Sequence, residues 1–477
     1  MRRALALLVL AMLAACGGAP LRAPEIPAAD GYTTSPIDAD ATGEQRIAMG
    51  ADIPAQWWSL YRSTALDALV REALDASPTI AQAAARLREA RETLDGRTRA
   101  SSLPKIDGKL SANRVDLEPE ALGTQQLPVK LPLDLYLATV NVSYTFDFFG
   151  ATRGELEALR ARSDSARFEL AAARQALAAN VVTSVIRAAS LRAQLERTGE
   201  ALEWQSRQLA IAEALEKAGG LAQSDVASRR EDLARSRTTV ADLRRELEQV
   251  RHRLAIYLGR APGAAEGTDV RLEELTLPAE LPVSLPSQLV RQRPDILAAE
   301  ALLREAGGHV GVATANLYPQ VTLSAQLGSL STNGSGLLSG GSGFSLLGAA
   351  LTQPIFHGGE LRAKQRAAVA AYDAAAAAYR DTVLRAFGNV ADSLRAIEAD
   401  ASRLAELGAV VREARAQERI ASARHDAGGM SELALLDARR KLDAALVEET
   451  RAIADRHADS AALLQAVGGG WWNEAPP

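Results

Sequence analysis

The sequence predicts a mainly α-helical chain of two structural repeats, with long coiled helices and four strands suited to a membrane β-barrel. Three observations carry this prediction. From Glu155 to Ala218 and from Glu360 to Ala427 no proline interrupts the chain, and at 1.5 Å per residue each stretch makes a helix roughly 100 Å long. Each ends at a glycine pair, KAGGLAQS (217–224) and DAGGMSEL (426–433). Between these flanks lie short segments that alternate polar and apolar residues, the period of a strand.

The repeat is the main organising signal. Gly219 pairs with Gly428 at an offset of 209, and YLGRAPG (257–263) pairs with AVGGGWW (466–472) at the same offset. SLPKIDGKLS (102–111) resembles LYPQVTLSAQ (317–326), and DFFGATRGEL (147–156) resembles PIFHGGELRA (354–363). Ser77-Pro78 and Arg293-Pro294 each precede a helical pattern. Each half therefore reads helix, strand, strand, long helix, Gly-Gly, helix.

In the second long helix Val383, Val390, Ile397, Leu404 and Val411 recur every seven residues, with Phe387, Leu394, Ala401 and Gly408 on the alternate seam. A 3.5-residue period marks supercoiled helices. The strands read differently. In 135–148, Tyr136, Ala138, Val140, Val142, Tyr144, Phe146 and Phe148 share one face, opposite Thr139, Asn141, Ser143, Thr145 and Asp147. Similar dyads occupy 105–113 and 320–327, whereas 343–356 is apolar but alternates poorly. A soluble sandwich shows the same pattern. Strands of about ten residues with aromatics toward the ends of the apolar face also fit a transmembrane barrel. Four strands cannot close such a barrel, and open edges are not tolerated in lipid, so membrane strands would require several chains to share one barrel and one helical tube. The segment STNGSGLLSGGSG (331–343) reads as a flexible loop, with no phosphate-binding signature.

The 477 residues are 47% hydrophobic and 4% aromatic, with a formal net charge of −5. That charge is too mild for a nucleic-acid surface. The five histidines are scattered without metal-ligand spacing. No nucleophile elbow or dinucleotide fingerprint appears, which argues against an enzyme and implies no cofactor. The single cysteine, Cys16, follows a basic start (Arg2, Arg3), the apolar run ALALLVLAMLAA (4–15) and Leu13-Ala14-Ala15. The run is too short for a mature membrane helix. The pattern resembles a bacterial lipobox, with 1–15 as signal peptide and Cys16 as the lipidated N-terminus, an anchor rather than a span. Gly17 after the cysteine, rather than aspartate, favours export to the outer membrane.

Four further stretches carry a family resemblance. RQRPDILAAEALLREA (291–306), LTQPIFHGGELRA (351–363), FGNVADSL (387–394) and GMSELALLDARRKL (429–442) resemble, in order, motifs of the TolC-like outer-membrane factor family. With the lipobox, they place the chain nearest the lipoprotein branch that serves RND-type efflux pumps. The resemblance implies a homotrimer with a twelve-stranded outer-membrane barrel, an α-barrel across the periplasm, and a passive exit duct for small molecules. An inner-membrane RND-type pump and a periplasmic adaptor (membrane fusion) protein would be its partners. The expected division is 16–62 for the lipidated segment and equatorial belt, and 63–263 for the first repeat, with strands near 103–117 and 135–149 and a hairpin over 153–258. A linker follows at 264–287. The second repeat covers 288–467, with strands near 318–331 and 343–356 and a hairpin over 358–467, and 468–477 forms an equatorial tail.

The glycine pairs Gly219, Gly220, Gly428 and Gly429 then read as hairpin turns, because glycine reaches the positive φ that ends a helix. The resemblance adds that these tips face the adaptor and narrow the pore. Leu433 and Asp437, four apart and so on one helix face, match positions where related channels place a hydrophobic and an acidic ring, an arrangement that dewets a pore and favours cations. Arg424 matches a family arginine and would tether Asp437 in the closed state. Asp426 departs from the pattern, being often basic in relatives. The first tip offers Ser224 and Ser228 at the matching positions, so the gate is expected in the second hairpin. The rival readings are a periplasmic adaptor, which would show one hairpin between β-rich modules, and a structural coiled-coil lipoprotein, which leaves the strands unexplained.

Overall fold

Proline punctuates this chain where its elements begin. Pro78 and Pro294 open helices at the first position, where a missing N–H costs nothing. Pro104 and Pro319 stand just before strands that start at Lys105 and Gln320. The computed structural model describes residues 31–35, 43–116, 132–264, 267, 269–339 and 341–473. The expected signal peptide and Cys16 lie outside the described residues.

In chain order the elements are β1 (Arg46–Met49), α1 (Thr64–Ala76), α2 (Pro78–Ser102), β2 (Lys105–Val115), β3 (Leu133–Phe146), α3 (Ala151–Lys217) and α4 (Gln223–Tyr257). They continue as β4 (Glu280–Val283), α5 (Pro286–Gln292), α6 (Pro294–Ala315), β5 (Gln320–Ser331), β6 (Gly343–Thr352), α7 (Glu360–Asp426) and α8 (Glu432–Ala466). Two compact units result. One holds Leu87–Ser165 and Ala299–Tyr379; the other holds Ala166–Ala298 with the described parts of 25–86 and 380–477.

The first unit contains an antiparallel sheet in the order β2-β3-β5-β6, so the two repeats meet at its centre and β2 and β6 form its edges. The register aligns the dyads. Ile106, Val142, Ala325 and Leu347 lie opposite one another in one row; Asp107, Asn141, Gln326 and Leu346 form the next. Facing residues in a ladder share a side, so a mainly apolar face, interrupted at Ser329 and Ser345, runs across all four strands. None of the described residues covers it: Leu110 is 76% exposed and Leu347 75%. The weak alternation of β6 has a local cause. Phe344 lies opposite Gly328 on the polar side, and a Cβ at Gly328 would meet the Phe344 ring at 2.9 Å and the Ala138 carbonyl at 2.7 Å.

Two strands end earlier than their alternation suggests. β3 stops at Phe146, and the Asp147 carboxylate instead accepts the N–H groups of Thr152 (3.1 Å) and Arg153 (2.8 Å), satisfying free donors at the start of α3. β6 stops at Thr352, before Pro354, which has no N–H for a ladder. In the same unit α3 and α6 approach closely at glycines: a Cβ on Gly154 would sit 2.9 Å from the Gly308 carbonyl, and one on Gly308 2.7 Å from that of Gly154. Arg97–Glu155 (2.5 Å) and Arg304–Asp164 (3.3 Å) flank that contact.

The second unit packs the distal part of α3, α4, the distal part of α7 and α8 with α1, α5 and the parallel pair β1–β4. Its core includes Trp57, Tyr61, Leu66, Ile186, Leu254, Leu281 and Leu289, all fully buried. The heptad seam of α7 is buried at Val383, Val390, Leu394, Ile397 and Val411. Arg293 shows what the Arg-Pro-Asp triplet does. Its guanidinium donates to both Asp295 oxygens (3.0 and 2.6 Å) and to the Ala466 carbonyl (2.9 Å), so it caps the C-terminal end of α8. The repeats match in length, since α3 and α7 each have 67 residues and α4 and α8 each have 35.

Candidate functional site

The tips lie in the second unit, and both close with the same hydrogen bonds. At the first, Gly219 donates to the Glu216 carbonyl (2.9 Å) and Gly220 to that of Leu215 (2.8 Å). At the second, Gly428 donates to His425 (2.9 Å) and Gly429 to Arg424 (2.8 Å). This is the Schellman arrangement, in which the residue after the cap must be left-handed. Gly219 (φ 75°) and Gly428 (φ 71°) take that conformation; Gly220 and Gly429 do not.

The chain then restarts differently. At the second tip Ser431 caps α8 by accepting from the Ala434 N–H (3.3 Å), and the His425 Nδ1–H donates to the Met430 carbonyl (3.0 Å). At the first tip Ala222 holds the cap position of α4 and offers no side-chain acceptor. The second turn is thus pinned by side chains and the first is not.

Beyond the tips, the start of α8 is met by the first hairpin. Arg207 on α3 pairs with Glu432 (2.8 Å). Gln208 on α3, almost fully buried, donates Nε2–H to Asp437 Oδ1 (3.2 Å), and Arg229 on α4 stands 3.7 Å from the same oxygen. Two residues further on, the Arg439 guanidinium lies over the Trp204 ring of α3 (4.9 Å to its centre) and donates to Glu418 of α7 (3.2 Å). Leu433 is half-buried, next to the buried Leu435 and Leu436. The Asp443 carboxyl is held above the usual carboxylate range, first by burial and then by Glu200.

Leu433 and Asp437 share a face, as their spacing requires. Asp437 is joined to Arg229 and Gln208 rather than to Arg424, whose carbonyl closes the tip and whose side chain makes no ion pair among the described residues. Arg229, Gln208, Arg207 and Trp204 escape sequence reading because their partners sit in the other repeat. The one available signal is the offset of 209, which places Ser228, the neighbour of Arg229, at the position matching Asp437.

Comparison with known proteins bears on what these tips serve. The family described as outer membrane efflux protein matches residues 69–260 and 285–469. The pyoverdine export outer membrane protein OpmQ of Pseudomonas aeruginosa is 30% identical over 460 residues, covering 93% of this chain and 94% of that protein. Among solved structures, the outer-membrane channel OprN superposes with a TM-score of 0.82 at 28% identity, over 96% of this chain and 99% of that one. The Campylobacter jejuni CmeC outer membrane channel shares the fold, with a TM-score of 0.81 at 23% identity over 94% of each chain.

Proposed function

The chain belongs to the outer membrane efflux protein family, and we propose that its second helical hairpin gates the channel that such a protein forms. It is an outer-membrane efflux channel, from a family of ducts rather than enzymes. Three copies close the barrel: four strands with two open edges and one mainly apolar face suit a twelve-stranded ring in lipid. Cys16 carries the lipid anchor. The tips at Gly219, Gly220, Gly428 and Gly429 dock a periplasmic adaptor, which joins the duct to an inner-membrane RND-type pump that supplies the energy.

The observation that carries the gate is the capture of Asp437 by Arg229 and Gln208. It ties the first turns of α8 to the first hairpin and so opposes outward movement of the second. Around a threefold axis, Leu433 forms a dewetting ring and Asp437 an acidic one. Arg424, which makes no ion pair among the described residues, serves the gate by meeting a neighbouring copy. The Asp437 pairing is half-exposed, so each copy contributes no more than about 1 kcal/mol, which suits a contact that an adaptor has to break.

Single-channel conductance in planar bilayers tests this reading. The wild type should conduct weakly, and Leu433→Ala/Asp437→Ala should raise the resting conductance sharply. A variant that assembles but leaks no more than the wild type overturns the gate assignment. A wild type and variant that are both silent overturn the conducting duct as well.

A further inference from the structure

The sheet of the first unit has a second face, and that face is not uniformly polar. One row places Lys105, Ser143, Ser324 and Gly348 side by side, and the next Asp107, Asn141, Gln326 and Leu346. Toward the β5–β6 turn the character changes. The third row holds Lys109, Thr139, Gly328 and Phe344, and in the fourth Leu137 lies opposite Leu330. Phe344 remains 38% exposed, Leu330 47% and Leu346 62%. The inner wall of a membrane barrel is polar, so large apolar side chains gathered on this face are out of place unless something covers them. Covering them is favourable in proportion to the area taken from water.

A cation stands beside this group. Among the paired residues of the sheet, the charged side chains on this face are Lys105, Asp107 and Lys109, whereas Arg114 and Asp134 oppose each other on the other face. Asp107 lies between the two lysines, so β2 keeps a net positive charge here, and neither lysine makes an ion pair among the described residues. Asp147 continues the face beyond β3, but its carboxylate is occupied by the N–H groups of Thr152 and Arg153. Lys105 lines a polar hollow with Arg97, Thr145 and Gln320. That leaves Lys109 as the cation in the same row as Phe344. The floor between them is low. Thr139 is 5% exposed, and a Cβ at Gly328 would meet Thr139 Cγ2 at 2.8 Å and the Phe344 ring at 2.9 Å, so the ring lies across Gly328 toward Thr139. Strands lie about 4.8 Å apart, so roughly two spacings, about 10 Å, separate the ring from the Lys109 strand.

We propose that Lys109 with Phe344, Leu330, Leu137 and Leu346 forms a binding site for an organic anion with an aromatic body, the chemical class of molecule this wall is built to carry. The ammonium takes the acidic group, as a charge-assisted contact. The Phe344 ring and the leucines cover the body, the ring by edge or offset stacking. A neutral molecule of the same shape forgoes the ionic contact, and a cation is repelled by Lys109. The sign is opposite to that of the Asp437 carboxylates, so the preference belongs to the sheet and is read there. That this face lines a lumen rests on the trimeric channel proposed above. The site itself lies within one copy and does not depend on where the gate is.

Equilibrium dialysis of 1-naphthalenesulfonate against the full-length protein in nanodiscs of zwitterionic lipid tests the site, with protein-free nanodiscs as the blank. The wild type should bind the sulfonate above the blank, and 1-naphthylmethylammonium should not displace it. Lys109→Gln should weaken binding about tenfold, the worth of one ionic hydrogen bond, and Lys109→Arg should retain it. Phe344→Ala should weaken it as well, while Lys105→Gln should leave it unchanged. If Phe344→Ala does not assemble, Leu330→Ser carries the apolar arm of the test. A wild type no better than the blank, a sulfonate displaced equally well by the cation, or equal affinity in wild type and Lys109→Gln each overturns the proposal. Dialysis needs no open gate. A protein that binds the sulfonate yet never conducts in a bilayer therefore overturns the duct and supports the site, and one that conducts without binding it overturns the site alone.

Discussion

Gly428 and Gly429 are chemically identical and structurally unequal. Only Gly428 holds a left-handed backbone, so only there does a Cβ meet the penalty against that conformation. Gly428→Ala, like Gly219→Ala, should destabilise the protein by about 1–2 kcal/mol, whereas Gly429→Ala should stay within about 0.5 kcal/mol. Thermal unfolding of these three single variants checks this. The pair was legible from sequence as a turn; which member bends the chain was not, because the pattern carries no hydrogen-bond register. The same limit applies to Asp437. Its face followed from helical spacing, but its partners Arg229 and Gln208 come from the other repeat, where spacing is silent. Arg229→Ala should raise resting conductance severalfold in the bilayer assay and leave assembly intact, as expected for the loss of a half-exposed contact.

At the level of elements, the long helices were readable because proline is absent and the seam has a heptad period. The strands were readable because their period is two. Their pairing was not, since the order β2-β3-β5-β6 depends on contacts between repeats that alternation does not encode. Glycines within helices were also opaque. In isolation Gly154 and Gly308 only weaken their helices, yet each lets the backbone of α3 or α6 come within reach of the other. Gly308→Val should therefore cost about 1–3 kcal/mol or more, by overpacking a contact that has no room. Its yield and melting temperature should fall well below those of Gly311→Val, where the nearest atom is 3.9 Å away.

Across the whole molecule, sequence alone pointed to membrane strands that one chain could not close, and the register supplies the reason the outer face suits lipid. Leu347 and Leu346 are neighbours on β6 that lie in adjacent rows, one apolar and one polar. Leu347→Arg should cost about 2–4 kcal/mol if it lies near the bilayer midplane, and Leu346→Arg far less. The yield of detergent-resistant oligomer from outer-membrane fractions checks the difference; equal losses would reverse the assignment of faces.

The matched helices, 67 with 67 and 35 with 35, have a consequence for how such a chain can change. They act as two copies of one ruler. Removing seven residues from a single arm would shorten it by about 10 Å and tear the Arg207–Glu432 and Arg229–Asp437 contacts out of alignment. The same excision made in all four arms would restore them. Reach is therefore inherited in whole heptads and in duplicate, and a lineage that needs a longer or shorter molecule must edit both halves in concert.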